Sequence, residues 1–467
     1  MFSKGTKVHL IGIKGVGMTA LAQILKQRGL EVSGSDTKDK FFTDKVLKSS
    51  GIKPKVFSEK NITKNIDVVI SSGAYYFSGR AMGDNLEVKE VLKRGIKILT
   101  YPQAVGELSK EYKTIAVAGS HGKSTITAML GWAAQRIGKD PTVIAGTRIN
   151  AWKANARVGK SNLLILEADE YREAFLNYSP NVLIITSIDY DHPDYYKTPA
   201  LYYRAFKKMV DRVEKGGVVI GFGDDVEVAN LLSYAKGKKL KTVKYGFSKR
   251  SDLVLENEGV FHDKHIRQAQ CKQLFHGLFN KGKKLRGVLK FPGKHQIANA
   301  GAVLATAKSL KWPVYRTLDA LKEFSGTARR FEVLRKYKNG AIVIDDYAHH
   351  PTAIKKTLEA ARSLYPKKKI IAIFQPHMFS RTEALLEDFA TAFSDADEVG
   401  IMEIYASARE KSGKVSGRTL TAHAKEHHRF VNYLKNSAEA KKFLNLATKK
   451  DAAVLLMGAG DVYKLTA

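Results

Sequence analysis

The sequence predicts an α/β protein of three domains, each built around a largely parallel β-sheet. Three observations carry this prediction. Short apolar segments of strand length alternate with amphipathic segments of helix length along the chain. Two glycine-rich loops, GIKGVG and GSHGKST, each lie between such a strand and such a helix. The length of 467 residues also exceeds what a single hydrophobic core usually organises.

The composition is that of a globular protein with a strong positive charge. Hydrophobic residues make up 44% of the chain, and 78 Lys+Arg against 46 Asp+Glu give a net charge of +32. This excess favours anionic partners such as nucleotides, nucleic acid or acidic membranes, without choosing among them. The single cysteine, Cys271, excludes an intramolecular disulfide and fits a reducing compartment. Because no apolar stretch has the length of a membrane span, we expect a cytoplasmic protein without membrane insertion.

Residues 1–109 are predicted to form a Rossmann-like first domain. Strands are expected at KVHLIGI, LEVSGSD, DVVISSGA and IKILT, and helices at GMTALAQILKQRG and NLEVKEVLKRG. The first loop has the spacing G-x-x-G-x-G, not the dinucleotide-binding G-x-G-x-x-G, at Gly12, Gly15 and Gly17. Either its glycines admit a phosphate to the helix N-terminus, or they serve close packing alone. Asp36 ends the second strand, where a ribose-binding group would sit.

Residues 110–325 are predicted to form a central domain of the phosphate-loop ATPase type. Strands are expected at KTIAVAGS, NLLILEADE, VLIITSIDYDH and GGVVIGF, and helices at HGKSTITAMLGWAAQRIG and NAGAVLATAKSLK. Two lysine-rich segments, KGKKLKTVKYGFSKR and NKGKKLRG, are expected to be solvated loops or hairpins.

Residues 326–467 are predicted to form a second Rossmann-like unit. Its strands are expected at AIVIDDYA, KKIIAIFQP, DEVGIMEIYA and VLLMGAG, with helices beginning at Pro351 and Thr382. The carboxyl ends of parallel strands share one edge of a sheet, which is where polar motifs of such folds bind ligands.

The strongest local signal is the loop GSHGKST, which consists of Gly119, Ser120, His121, Gly122, Lys123, Ser124 and Thr125. Its glycines expose backbone N–H groups to phosphate oxygens, Lys123 adds a positive charge near the β- and γ-phosphates, and Ser124 offers a hydroxyl to Mg²⁺. The strict pattern would place a glycine at Val117, so the motif is a shortened variant. The loop therefore predicts bound ATP with Mg²⁺.

Three carboxylates, those of Glu167, Asp169 and Glu170, crowd the end of the strand LILEADE. Side by side they are costly without a cation, and Mg²⁺ prefers oxygen ligands. A charged helix cap is the alternative. His192 ends a later strand of the same predicted sheet, which favours a role at the same edge over the structural role of most single histidines.

Four side chains in the second half of the chain are candidates, and three of them have an alternative role. The adjacent Asp and His residues of DDYAHHP suggest nucleotide hydroxyl binding or proton handling, whereas Asp346 could instead cap the next helix. His377 and Arg381 follow a strand in QPHMFSRT, where the guanidinium either grips a carboxylate or forms a surface ion pair. Asn299 in GKHQIANAG either reads an adenine edge or braces its helix.

These motifs occur together in the order that is typical of one family. GSHGKST, EADE, DYDH, GKHQIANAG, ARRFE, DDYAHHP, QPHMFSRT and MGAGD resemble those of the Mur ligases, which build the peptide stem of peptidoglycan. The resemblance covers nearly the whole chain. IGIKGVGM, DDYAHHPT, QPHMFSRT and IYASARE are most similar to the branch of the family that joins L-alanine to UDP-N-acetylmuramate.

The resemblance implies a role for each domain: the first for the UDP-sugar, the second for ATP, the third for closure over ATP and for the amino acid. It implies catalytic roles for Lys123, Glu167, His192 and Arg330. It implies ATP contacts from the GSHGKST residues, Asn299, Arg330 and Asp346, and Mg²⁺ contacts from Ser124, Glu167 and His192. The substrate contacts that it implies are Gly12, Gly15, Gly17, Asp36, Ser71, Ser72, His377 and Arg381. The chain departs from the family pattern at Lys14, Ser187 and Met378, and more mildly at Ser120 and Ser124, which keep the hydroxyls of the usual threonines.

The implied reaction is ligation through an acyl phosphate, with UDP-N-acetylmuramate and L-alanine as substrates. One alternative is a recycling ligase of the same family that attaches a whole peptide to the sugar. A second, motivated by charge, is a nucleic-acid-binding protein, but the basic residues are spread along the chain and no nucleic-acid module is recognisable. A third, an NAD-dependent oxidoreductase, is disfavoured by the spacing of the first loop and by the second, phosphate-binding loop. The oligomeric state is not predicted.

Overall fold

The computed structural model describes residues 2–41, 43–77, 79–262, 271–279, 282–406, 410–449 and 451–466. These residues form three separate sheets and one small hairpin. The segment SAR of the predicted IYASARE motif and the first two residues of NKGKKLRG lie outside the described residues. Within the described ranges, no helix is both long and apolar enough to cross a membrane.

The first sheet has five parallel strands in the order β3-β2-β1-β4-β7. The strands of this region are β1 (Lys7–Ile11), β2 (Glu31–Asp36), β3 (Lys55–Val56), β4 (Val68–Ser71), β5 (Tyr76–Phe77), β6 (Arg80–Ala81) and β7 (Ile98–Thr100). The helices are α1 (Val16–Gln27), α2 (Thr43–Ser49), α3 (Leu86–Lys93) and α4 (Tyr101–Ser109). The strand β1 is buried at four of its five residues because it lies at the centre of the sheet.

The second sheet has ten strands in the order β10-β9-β11-β8-β12-β13-β14-β15-β16-β17. They are β8 (Lys113–Ala118), β9 (Thr142–Ile149), β10 (Ala154–Arg157), β11 (Leu163–Glu167), β12 (Val182–Ile185), β13 (Val218–Phe222), β14 (Lys241–Gly246), β15 (Leu253–His262), β16 (Cys271–Phe279) and β17 (Leu285–Leu289). The helices are α5 (Lys123–Arg136), α6 (Pro199–Val210), α7 (Val226–Gly237), α8 (Lys294–Ser309) and α9 (Val314–Glu323). The pairs β9–β10, β15–β16 and β16–β17 are antiparallel.

The third sheet has six strands in the order β18-β19-β23-β20-β21-β22, of which only the β18–β19 pair is antiparallel. They are β18 (Glu332–Lys336), β19 (Ile342–Asp346), β20 (Lys369–Phe374), β21 (Glu398–Met402), β22 (Val431–Leu434) and β23 (Ala452–Met457). The helices are α10 (Pro351–Leu364), α11 (Phe379–Ala384), α12 (Leu386–Ala390), α13 (Gly417–His427) and α14 (Ser437–Ala447). The α/β class with three sheets is as predicted.

Several elements differ from the prediction. The segment KGKKLKTVKYGFSKR was expected to be a loop or hairpin, but it contains the parallel strand β14. Its strand residues Thr242 and Val243 are half-buried and the following Tyr245 is fully buried, so the lysines only interrupt an otherwise apolar strand. The predicted strand VLIITSIDYDH ends at Ile185, after which the chain continues as an irregular segment.

The proposed domain boundaries fall between elements. Residue 110 lies between α4 and β8, and residue 326 lies between α9 and β18. The first and second domains touch where α1 packs against β9 and β10. There the buried Asn155 side chain donates a 2.6 Å hydrogen bond to the carbonyl of Val16. This contact brings the first glycine loop beside the central sheet.

Candidate active site

One large cavity, of about 1190 Å³, lies where the three domains meet. The first domain contributes Val16, Gly17, Tyr101 and Pro102 to its wall. From the central domain come six residues of the GSHGKST loop, all but Gly119, together with Glu167, Asp169, Glu170, His192 and Asn299. The C-terminal domain contributes Arg330, Asp346, His377 and Arg381. The cavity thus collects the residues predicted to contact ATP, the metal and the amino acid.

The phosphate loop runs from the carboxyl end of β8 into α5, and two of its glycines require conformations that other residues disfavour. Gly119 has a φ of +125°, and a Cβ there would clash with the Thr186 hydroxyl. Gly122 has a φ of +79°, and a Cβ there would lie 2.7 Å from Oδ1 of Asn299. Asn299 is buried and also donates from Nδ2 to Gln296 Oε1 at 3.2 Å. These contacts fit the alternative that Asn299 braces its own helix, α8. The predicted adenine contact stays a prediction.

Lys123 is held by an acidic partner within the cavity. Its Nζ lies 2.8 Å from Oε2 of Glu170 and donates to the carbonyl of Gly119 at 2.6 Å. Burial disfavours the lysine charge, but the carboxylates of Glu170 and Asp169 outweigh it and raise the pKa of Lys123. The ammonium group therefore stays charged at neutral pH. It lies directly at the phosphate loop.

The predicted metal ligands lie in two neighbouring groups. Ser124 Oγ donates to Glu167 Oε1 at 2.8 Å, and Glu167 Oε2 accepts from the backbone N–H of Gly146 at 2.6 Å. His192 instead faces Glu170, with Nε2 at 3.7 Å from Oε1, and forms with Asp169 and Glu170 a group whose ligand atoms lie within 4.8 Å of one another. Its Nδ1 is buried without a hydrogen-bond partner among the described residues. A hydroxyl, three carboxylates and an unsatisfied imidazole nitrogen fit a hard divalent cation.

A second polar group connects the phosphate loop to the C-terminal domain. His121 Nε2 lies 2.9 Å from Oδ2 of Asp189, and His350 Nδ1 lies 3.4 Å from the same oxygen. His350 also donates from Nε2 to the carbonyl of Tyr190 at 3.2 Å and caps α10 by accepting from the Thr352 N–H. Burial lowers the pKa of His121 to about 4, against the opposing effect of Asp189. His121 is therefore neutral at pH 7.

The two arginines of ARRFE have different surroundings. Arg329 donates to Asp345 at 3.1 Å and to the carbonyls of Gly458 and Gly460, which fixes the end of β23 to the domain entrance. Arg330, the predicted phosphate contact, stacks over the Tyr347 ring at 5.2 Å and lines the cavity. Both guanidiniums line the cavity and lie over the Tyr347 ring. That of Arg329 is engaged by Asp345 and the backbone carbonyls, whereas no described residue accepts a hydrogen bond from Arg330.

Asp346 holds the backbone at the entrance to the C-terminal domain. Its two oxygens accept from the N–H groups of Phe331 at 2.8 Å and Ala348 at 2.9 Å. Burial raises its pKa, although Arg330 and these N–H groups oppose the shift. The helix cap that was the alternative for Asp346 is made by His350 instead. The predicted ribose contact lies within the cavity and stays a prediction.

Arg381 is a buried residue of the interface between two domains. Its exposure is 2%, and its Nε donates to Oδ1 of Asp191, in the central domain, at 2.7 Å. The surface ion pair that was the alternative at this position is excluded by that burial. The neighbouring His377 stacks on Tyr405, with ring centroids 5.8 Å apart. His349 donates from Nδ1 to the carbonyl of Tyr347, and burial holds its pKa well below the usual range.

The predicted sugar-site residues lie mainly at the carboxyl edge of the first sheet. Gly12 follows β1, Asp36 ends β2, and Ser71 and Ser72 lie at the end of the adjacent β4. A Cβ at Gly12 would lie 2.9 Å from Ser72 Cβ. Gly15 begins α1 as its N-cap residue. Gly17 is the member of this group that reaches the large cavity, where a Cβ would lie 2.6 Å from the Tyr101 ring.

Three of the departures from the family pattern, Lys14, Ser187 and Met378, have the following surroundings. Lys14 Nζ donates to the carbonyls of Thr37 and Asp39, at 2.9 and 2.7 Å, so its charge is directed to the loop after β2. Its backbone N–H donates to Asp36 at 2.6 Å. The Ser187 hydroxyl accepts from the backbone N–H of His121. Met378 is buried and begins α11 with a φ of 72°.

Sequence reasoning missed three polar residues of this site: Tyr101, Asp189 and Asp191. The motif DYDH contains two of them, but only its histidine had been assigned a role. A signal for Asp191 was present, since it immediately precedes His192 at the carboxyl edge of the central sheet. Tyr101 opens a short helix with no motif around it, and nothing in its local pattern indicates that it reaches the cavity.

Three family models match consecutive parts of the chain. The Mur ligase family, catalytic domain, matches residues 7–113; the Mur ligase middle domain matches residues 117–307; the Mur ligase glutamate ligase domain matches residues 329–460. The chain is 37% identical over 466 residues to a UDP-N-acetylmuramate–L-alanine ligase of Desulfitobacterium hafniense, covering 98% of both proteins.

Solved structures of ligases have a similar fold. The crystal structure of a UDP-N-acetylmuramate-alanine ligase from Thermotoga maritima matches with a TM-score of 0.79 and 29% identity, covering 98% of this chain and 97% of that one. A murein peptide ligase from Psychrobacter arcticus matches with a TM-score of 0.69 and 22% identity over 99% of this chain and 97% of that one, which shows a shared fold. With three family domains in order and a curated relative of this identity along its full length, the chain belongs to the Mur ligase family.

Proposed function

We propose that this protein is an ATP-dependent ligase that joins L-alanine to the carboxylate of UDP-N-acetylmuramate, in the cytoplasmic part of peptidoglycan synthesis. The observation that carries the proposal is the single cavity in which Lys123, Glu167, Arg330 and Arg381 meet at the junction of three domains. A ligase of this kind needs a nucleotide, an acid and an amine in one place. The named relatives support the choice of alanine.

The chemistry follows from the poor reactivity of a carboxylate. Its oxygen is a poor leaving group, so an amine does not displace it at neutral pH. Transfer of the ATP γ-phosphoryl group to the sugar carboxylate creates an acyl phosphate, and ADP leaves. The alanine amine then attacks the acyl carbon, the amide bond forms, and inorganic phosphate leaves. Phosphoryl transfer depends on positioning and charge neutralisation more than on covalent help.

Lys123, Arg330 and the N–H groups of the phosphate loop would take part in the first step, the transfer of the γ-phosphoryl group. Lys123 lies at the phosphate loop, where its charge would neutralise the β- and γ-phosphates. Arg330 enters the cavity from the opposite domain, so domain closure would bring it to the transferred phosphoryl group. The loop N–H groups at the start of α5 would bind the phosphate oxygens.

Mg²⁺ is the cation that we propose for the carboxylate cluster. Ser124 and Glu167 would hold it, with His192 and Asp169 adjacent. When bound, Mg²⁺ neutralises phosphate charge. The cluster itself orients these groups through the hydrogen bonds of Glu167 to Ser124 and to the Gly146 backbone.

The second candidate is the recycling reaction, in which a peptide replaces alanine. The structural similarity to a murein peptide ligase motivates it. At 22% identity this likeness concerns the fold, whereas the alanine-ligase relative is 37% identical over nearly the whole chain. We therefore favour the free amino acid.

The test is phosphate release from ATP with UDP-N-acetylmuramate and one amine substrate at a time, with the product identified by mass spectrometry. We expect release that requires both the sugar and L-alanine, and a product heavier by one alanyl residue. Faster ligation of an L-alanyl peptide than of alanine would establish the recycling reaction. Phosphate release that does not depend on the sugar would contradict both.

A further inference from the structure

We propose that Asp191 is a positioning residue of the amino-acid site: it holds one edge of the Arg381 guanidinium so that the remaining N–H groups face the amino-acid carboxylate. This inference rests on the proposed function and deepens it. It starts from the pairing of two buried side chains that belong to different domains. Asp191 follows β12 of the central sheet, and Arg381 lies in α11 of the C-terminal domain.

The contact is short and enclosed. Arg381 Nε donates to Asp191 Oδ1 at 2.7 Å, and the two residues are 2% and 6% exposed. The contact is an ion pair between a guanidinium and a carboxylate that lies on the far side of a domain interface. A charged pair in such surroundings has a defined geometry, because few other arrangements satisfy it.

The pairing leaves a particular part of the guanidinium for a ligand. The Nε edge is occupied by Asp191, and Nη1 donates to the carbonyl of His377 at 3.2 Å. Arg381 nevertheless forms part of the cavity wall together with His377, Met378 and His349. A guanidinium has five N–H groups in one plane, so fixing the Nε edge also fixes the direction of the outer Nη groups. Since His377 engages Nη1, the group available to a carboxylate is Nη2, which has no hydrogen-bond partner among the described residues.

The segment that carries Asp191 also contacts the ATP half of the cavity. Asp189 pairs with His121 of the phosphate loop, and the next-but-one residue Asp191 pairs with Arg381. His192 donates its backbone N–H to Asp191 Oδ1 at 2.6 Å and faces Glu170, the partner of Lys123. The segment 189–192 therefore contacts both the phosphate loop, through Asp189, and Arg381, through Asp191. Asp191 is the member that acts on the amino-acid side.

The experiment measures KM separately for alanine, ATP and the UDP-sugar in Asp191→Asn and Asp191→Glu. Asp191→Asn keeps an oxygen acceptor but removes the charge, and Asp191→Glu keeps the charge but displaces it. We expect each to raise the KM for alanine by about tenfold or more and the KM for ATP by less than about threefold, as expected for loss of one charged hydrogen bond at one substrate. Added to Arg381→Ala, neither change should raise the KM for alanine further, because both act through one guanidinium.

The matched control is Arg148→Gln. Arg148 lies 3.3 Å from Glu332 in a partly exposed ion pair between the same two domains, so it reports the loss of an interdomain contact without a change near Arg381. We expect wild-type values for all three substrates. If Asp191→Asn and Asp191→Glu raise the three KM values equally, or leave that for alanine unchanged, the positioning role is refuted while the ligase assignment stands. If the wild-type protein does not ligate alanine, the proposed function fails and this role with it.

Discussion

Lys123 of the phosphate loop pairs with Glu170, at 2.8 Å, and not with Glu167, although both carboxylates end the same predicted motif. Glu167 is instead engaged by the Ser124 hydroxyl and the Gly146 backbone. The two acids therefore have different partners. Glu170 faces the ammonium group of Lys123, and Glu167 lies beside the Ser124 hydroxyl, which is predicted to bind metal. Glu170 is 1% exposed, so Lys123 is also its charge partner in a buried environment.

Lys123→Ala is expected to reduce turnover by at least about a hundredfold, because one lost charge at the phosphates costs about 3 kcal/mol or more in the transition state. It should also lower the thermal midpoint, since the change leaves the buried Glu170 carboxylate unpaired, at a cost of about 3 kcal/mol. Phosphate release and thermal unfolding measure the two effects.

The double variant Lys123→Ala/Glu170→Gln separates these effects. Removing the stranded charge should recover most of the thermal midpoint without recovering turnover. If turnover returned with stability, Lys123 would have only a structural role. Turnover of Lys123→Ala within a few-fold of wild type would exclude it from the phosphate site altogether.

The phosphate loop and its acidic neighbours are predictable from sequence because strand, glycine turn and helix follow one another within a few residues. The pairing of Arg381 with Asp191 is not, since the two lie 190 residues apart and in different sheets. Arg381 was expected to be a ligand contact or a surface ion pair, and a buried partner across a domain interface has no local spacing to indicate it. Short helices such as α2 were missed for a related reason, as seven residues contain too few turns for a hydrophobic period.

The pKa of His121 predicts a loss of stability on mild acidification. Burial lowers that pKa to about 4, while the ordinary value is about 6.5, so the unfolded chain binds one more proton between these values. The contribution of His121 to the free energy of unfolding is therefore fully present above pH 6.5 and decreases as the pH falls toward 4. The loss is about 2 kcal/mol between pH 6.5 and 5.

Chemical denaturation at several pH values checks this in wild type and His121→Asn. The variant cannot take up the proton, so its stability should depend less steeply on pH in this window. The test compares the pH dependence of the free energy of unfolding in wild type and variant, because groups other than His121 titrate in both proteins. Parallel pH profiles would show that His121 is protonated equally in the folded and unfolded chains.

Glu87, which is fully buried, is expected to stabilise the first domain through a cluster of polar contacts. Its carboxylate accepts from the Ser35 hydroxyl, from Asn61 Nδ2 at 2.6 Å and from the Ser58 N–H at 3.1 Å, and it lies 3.5 Å from His9 Nε2. Glu87→Gln should destabilise by about 2 kcal/mol, because an amide cannot accept every one of these bonds. Thermal unfolding measures the change, with Glu59→Gln, at an exposed glutamate of the same domain, as control. Equal midpoints for both variants would contradict the role of the cluster.

The net charge of +32 is not expected to mark a nucleic-acid function. Charge alone should give weak DNA binding at low salt that fades steeply as salt rises, through counterion release. Fluorescence anisotropy with a labelled duplex, titrated at several salt concentrations, measures it. Binding of about nanomolar affinity at physiological salt, with discrimination between sequences, would indicate a nucleic-acid partner after all.

Arg381 is predicted to select a small free amino acid by its carboxylate, with L-alanine first. Arg381→Ala should raise the KM for alanine much more than that for ATP, and Arg381→Lys should restore it only in part, because a point charge does not reproduce the guanidinium fork. Arg381→Ala should also destabilise the protein by about 3 kcal/mol, since it strands the buried Asp191 carboxylate.

Kinetics with alanine, serine, glycine and an L-alanyl peptide, offered separately, test this selectivity. Alanine should be used best by wild type, and the difference between amino acids should shrink in Arg381→Ala, because an amino acid held less firmly at its carboxylate is also less firmly aligned at its side chain. The double variant Arg381→Ala/Asp191→Asn provides the control for folding: it removes both charges, so it should regain stability but not affinity for alanine. If both Arg381 variants bind alanine as wild type does, another residue holds the carboxylate, and the buried pair with Asp191 serves only to join the two domains.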